Sequence, residues 1–70
     1  MKTMWDVQQL LKRYGVFVYV GDRLADLELM EAELRDLYQS QLMEGQEFQQ
    51  AVLILRRERR MEKEKQARRS

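Results

Sequence analysis

The sequence contains no cysteine, no histidine and no proline, and each absence removes a class of structure or chemistry. Without cysteine no disulfide can brace these 70 residues. A domain of this size buries a smaller share of its surface than a larger one, so its core alone gives modest stability. Without histidine or cysteine, the commonest general base, the best nucleophile and the usual zinc ligands are all missing. A metal site would have to be all-oxygen, and no calcium-loop spacing is present. The three glycines stand apart and form no phosphate-cradling loop. We therefore expect no enzyme, no cofactor and no bound metal.

Long apolar runs are also absent. The longest, 16–20 and 51–55, have five residues each, whereas a membrane span needs about 20. Met1 to Asp6 offers no apolar stretch behind Lys2, so no signal peptide is expected. A soluble, cytoplasmic chain with no membrane partner follows as the expectation, and the lack of cysteine fits a reducing compartment.

With no proline, Gly15, Gly21 and Gly45 are the strong breaks. They divide the chain into helix, extended piece, helix, helix. The first helix is predicted over Met4 to Tyr14. Thr3 is its N-cap with Asp6 three residues on, Met4, Val7, Leu11 and Tyr14 form one stripe beside Leu10, and Gly15 supplies the left-handed end. Val16-Phe17-Val18-Tyr19-Val20 is β-branched or aromatic throughout. A lone strand has no partner in its own chain, so this segment is a connector packed on the helices or half of an intermolecular pairing; we favour the connector. At about 3.3 Å per residue it spans about 17 Å, enough to carry the chain back along a helix.

The second helix is predicted from Asp22, its N-cap, to about Gln41. Leu24, Leu27, Met30, Leu34, Leu37 and Tyr38 form its stripe, continued by Leu42, and Asp26, Glu28, Glu31, Glu33 and Asp36 form a solvated face. The third helix begins near Gln46 or Glu47, with Phe48, Ala51, Val52 and Leu55 inward and Leu53 and Ile54 broadening the apolar surface. The fold class is all-α: a three-helix bundle with a short extended connector (16–20) between helices 1 and 2 and a long basic C-terminal helix. The domain should cover 1–65, with 66–70 a frayed or disordered basic tail.

Several stretches resemble the YqgQ-like family of small bacterial proteins. They are Asp6-Val7-Gln8-Gln9-Leu10-Leu11-Lys12, Tyr14-Gly15, Tyr19-Val20-Gly21-Asp22-Arg23, Glu28-Leu29-Met30, Leu37-Tyr38, Ser40-Gln41-Leu42, Ile54-Leu55 and Glu62-Lys63-Glu64-Lys65. The resemblance covers nearly the whole chain and implies a compact three-helix fold in a bacterial cytosol. A single-stranded nucleic-acid role has been suggested for that family, which makes it an expectation here. No catalytic residues carry over, because the family has none assigned.

Charge is unevenly placed. Residues 1–55 carry a net −4 and residues 56–70 a net +5. The basic run is Arg56, Arg57, Arg59, Arg60, Lys63, Lys65, Arg68 and Arg69. Its functional reading is phosphate contact, through release of condensed counterions. Its everyday reading is a run that is simply solvated, or neutralised in part by helix 2 and by pairs within the helix (Arg60–Glu64, Glu64–Arg68), and this carries the greater weight. If helices 2 and 3 are antiparallel, position i faces roughly position 87 − i, which sets Arg56 level with Glu31 and Arg60 near Leu27 and Glu28. Arg68 and Arg69 then extend past the bundle.

Trp5 points nearly opposite the first helix's stripe, and Lys12 returns to almost the same direction, with Gln8 and Gln9 nearby. A π face beside a cation suits base stacking. Folding of Trp5 against the connector or a partner subunit is the weightier alternative. The same question attaches to Phe17 and Tyr19, which alternate away from Val16, Val18 and Val20.

Two functions follow. One is a sequence-nonspecific single-stranded RNA or DNA binder using Trp5, Lys12, Arg13, Arg56, Arg57, Arg59, Arg60, Lys63, Arg68 and Arg69. The other is a protein-interaction or self-associating module joined through Phe17 and Tyr19.

Overall fold

The computed structural model describes residues 1–69 and is helical, with α1 over Met4–Arg13, α2 over Arg23–Gln39 and α3 over Gly45–Arg69. The three-helix bundle expected from the glycine spacing is the fold. Residues 16–20 are an extended connector with no β-bridge in the described chain.

At its N-terminus α1 has a complete capping box. The Asp6 N–H donates to the Thr3 hydroxyl, and the Thr3 N–H donates to the Asp6 carboxylate at 3.0 Å. At its C-terminus the Val16 N–H reaches the Leu11 carbonyl (2.9 Å) and the Gly15 N–H the Lys12 carbonyl (2.9 Å). This Schellman arrangement needs a left-handed residue between helix and exit, and Gly15 supplies it at φ +78°.

The same motif closes α2, without glycine. Leu42 N–H donates to the Leu37 carbonyl and Gln41 N–H to the Tyr38 carbonyl, each at 3.0 Å, with Gln41 at φ +62°. The helix thus stops at Gln39 rather than Gln41. Gln41→Gly should relieve the left-handed strain on a side-chain-bearing residue. We expect it to raise unfolding free energy by about 0.5–1 kcal/mol, read from the urea midpoint.

The core is contributed by Val7, Leu10 and Leu11 of α1, Leu27, Met30 and Leu34 of α2, and Ala51, Val52 and Leu55 of α3. Met43 in the α2–α3 loop joins it, and Val16 and Val18 pack against it from the connector. Leu42, expected to continue the α2 stripe, is exposed: the chain has left the helix by then, so helical periodicity no longer directs its side chain. Its carbonyl instead accepts the Tyr14 hydroxyl at 2.9 Å, tying the end of α1 to the loop.

Two carboxylates assigned to the solvated face of α2 are buried, Asp26 and Glu31. The reason is that α2 is covered from two sides. At 100° per residue, Leu27, Met30 and Leu34 form the centre of the buried face, and Asp26 and Glu31 mark its edges about 140° apart. Asp26 meets the connector, accepting the Val20 N–H at 2.7 Å. Glu31 meets α3.

α3 is the spine. At 1.5 Å per residue its 25 residues span about 37 Å, nearly the 41 Å long axis of the molecule. The last buried residue is Leu55. Helical structure continues to Arg69, past position 65 where the domain was expected to end and through 66–69 where a frayed tail was expected; residue 70 lies outside the described residues. Glu, Lys, Gln, Ala and Arg are all strong helix formers, and the Gln66 amide donates to Glu62 at 3.3 Å. Residues 63–69 are all exposed.

Candidate nucleic-acid interface

The outer face of α1 carries Trp5, Gln8 and Lys12 along one line, as seven-residue spacing on a helix dictates. Trp5 is 64% exposed. It does not fold against the connector, one of the two forms of the weightier alternative; the other, a partner subunit, belongs to the self-association reading. The capping box holds Trp5 on this outer face: α1 starts at Met4, so Trp5 sits in its first turn, and the Asp6 carboxylate anchors that turn. The Lys2 and Thr3 N–H groups donating to this carboxylate hold its pKa below the usual aspartate value.

The connector adds two more aromatics. Phe17 is 75% and Tyr19 87% exposed, on the side opposite the packed Val16 and Val18. Lys12 and Phe17 line one recess with Gln8 between the helix and the connector. Trp5, Gln8 and Lys12 thus share one face of α1, and Gln8, Lys12 and Phe17 share the recess between that helix and the connector.

Arg13 does not belong to that surface. One residue on from Lys12, it turns by 100° toward α3 and lines a recess with Asp6, Gln9 and Glu47. The two neighbouring cations of α1 are separated by the helix itself.

Along α3, Arg56 faces Glu31 as the antiparallel register requires, with Nε 3.8 Å from Oε1. Arg60, expected near Leu27 and Glu28, forms no ion pair with Glu28; the cross-helix pair beyond Arg56 is Arg23 with Glu58, at 3.4 Å. The pairs Arg60–Glu64 and Glu64–Arg68 are also unformed. Exposed pairs of this kind gain about 0–1 kcal/mol, comparable with the side-chain entropy they cost. Among the described residues, Arg57, Arg59, Arg60, Lys63, Lys65, Arg68 and Arg69 have no carboxylate within ion-pair distance. Ion pairing of the basic run to a carboxylate is thus confined, among the described residues, to Arg56. All of these but the half-buried Arg59 are exposed.

One feature was missed in the sequence. Tyr38 and Phe48 stack across α2 and α3 with centroids 4.5 Å apart and rings within 7° of parallel. They line a groove of about 590 Å³ whose rim carries Arg35 and Arg56. The register rule already sets position 38 level with 49, one residue from Phe48, so the pairing was accessible from the spacing. Among the described residues no three carboxylates converge as a metal site requires, and no helix is long and apolar enough to cross a membrane.

Comparison with known proteins places the chain. The YqgQ-like family model matches residues 1–61. A Bacillus subtilis (strain 168) protein described as "Uncharacterized protein YqgQ" is 45% identical over 58 residues, covering 83% of this chain and 82% of that one. The family match includes Trp5, Lys12, Phe17 and the Tyr38–Phe48 groove, and stops before Lys63.

Proposed function

The chain belongs to the YqgQ-like family, and we propose that it is a small non-enzymatic cytosolic protein that binds single-stranded nucleic acid without reading its sequence. The observation that carries this reading is that exposed Trp5 shares a helix face with Lys12, and Lys12 lines a recess with exposed Phe17. Exposed rings offer faces to unstacked bases, whatever the base, while an ammonium meets the phosphate. A duplex keeps its bases stacked inward and gives such rings nothing to stack on. The unpaired cations of α3 support the same reading by supplying counterion release along a backbone.

The net charge of +1 limits long-range attraction, so binding should be strong only at low salt. Fluorescence anisotropy of a labelled single-stranded oligonucleotide, titrated at increasing salt, tests the reading. Log affinity should fall linearly with log salt, by about 0.7 for each phosphate neutralised. Absence of binding at the lowest salt removes the proposal.

Self-association is the second reading, favoured by the connector. Among the described residues the N–H groups of Phe17, Val18 and Tyr19 have no hydrogen-bond partner, and Phe17, Tyr19 and Val20 are exposed. Two such segments can pair edge to edge. Sedimentation at micromolar concentration separates the readings, because pairing through the connector gives a dimer in the absence of nucleic acid.

A further inference from the structure

We propose that the groove between α2 and α3 is a nucleotide subsite, which takes one base of the bound strand together with its adjoining phosphate. This rests on the single-strand reading above and adds a second binding region, formed by different helix faces from the Trp5–Lys12–Phe17 surface.

Three kinds of group meet in the groove. The stacked pair of Tyr38 and Phe48 gives it an aromatic wall, and Tyr38 remains 43% exposed. Val52 and Leu53 line it from α3, with Leu53 66% exposed. Arg35 and Arg56 stand at the rim, one from each helix. Their placement is not left to chance. Glu31, buried between the helices, accepts from Arg35 at 2.9 Å through Oε2 and attracts Arg56 at 3.8 Å through Oε1. That Oε1 has no hydrogen bond among the described residues, so its contact with Arg56 is an ion pair without one. One carboxylate against two guanidiniums leaves the rim with a local charge of +1.

A ligand matching this arrangement needs a flat π surface and an anion a few ångströms away. A nucleotide unit has both. The ring stacks on the aromatic wall, and the phosphate takes the planar donor fork of a guanidinium. Gln39 and Gln49 also line the groove, and an amide both donates and accepts, so it can satisfy any base edge without selecting one. The volume lies within the about 300–1,000 Å³ usual for small-molecule sites. A second copy of this chain fits poorly, because the same patch meeting itself brings four arginines together.

The test uses the full chain, a single-stranded oligonucleotide, the matching mononucleotide and an acidic peptide, with side-chain NMR and anisotropy as readouts. Leu53→Glu adds a negative charge beside the phosphate position at an exposed site. Tyr38→Leu removes the stacking face and serves if the first variant fails to fold by circular dichroism. We expect the strand to move the Tyr38 and Phe48 ring signals and the Arg35 and Arg56 Nε–H signals. Either variant should weaken strand binding about tenfold, which is within the range for loss of one base stack. If the wild type binds the strand while these signals stay still and both variants bind equally well, the groove is no subsite and the single-strand reading stands. Binding of the mononucleotide as tightly as the strand, or signal changes with the peptide alone, also overturns the assignment. Failure of the wild type to bind any strand at low salt removes both proposals together.

Discussion

Leu34→Ala should remove about half of the stability of this domain. Leu34 is fully buried, in the centre of the face that α2 turns toward the core. Truncating such a leucine costs about 2–5 kcal/mol, the spread reflecting how far neighbours collapse into the cavity. A domain of this length has a total of about 4–10 kcal/mol at 0.05–0.15 kcal/mol per residue. With no disulfide available to compensate, the urea midpoint should fall by about half. Leu42→Ala is the informative contrast, because Leu42 is exposed and its replacement should change stability by no more than about 0.5 kcal/mol. Equal effects at the two positions would mean that the core lies elsewhere.

Replacing Arg57, Arg60, Lys63 and Arg68 together with glutamine should uncouple binding from stability. These four are exposed and have no carboxylate partner, and glutamine forms helix about as well as arginine or lysine. The urea midpoint should therefore move little, apart from a small loss of favourable charge near the C-terminus of α3. Strand affinity at low salt should fall at least about tenfold, and the salt slope should flatten by about 0.7 for each phosphate that is no longer neutralised. If affinity falls and the slope does not, the four residues act through the fold. If neither changes, the arm plays no part, and binding rests on the portion matched by the family.

Much of the fold could be read from the sequence because its determinants are local. Thr3 and Asp6 are three residues apart and form their capping box within one turn. Gly15 is the residue that a Schellman exit favours. The Arg56–Glu31 encounter follows from a short loop and two straight helices. Burial of Asp26 and Glu31 was not legible, since it depends on the connector and α3 covering both flanks of α2, which no periodicity encodes. The end of α2 was misplaced by two residues, because Gln41 takes a left-handed conformation more often given to glycine.

The site divides in the same way. Helical spacing sets the direction of Trp5, and strand alternation sets that of Phe17 and Tyr19. Helical geometry turns Arg13 100° from Lys12, but which of the two meets the recess beside Glu47 is set by where α3 packs. The persistence of α3 beyond 65 had its signal in helix-forming composition, which weighed less than the expectation that chain ends fray.

Trp5 is the one tryptophan in the sequence, so intrinsic emission reports directly on the residue at the centre of the proposed stacking surface. Adding a single-stranded oligonucleotide at low salt should quench that emission in a saturable manner. Added salt should reverse the quench, and a duplex of the same composition should produce little. An emission spectrum unchanged while anisotropy shows the strand fully bound would contradict base stacking on Trp5.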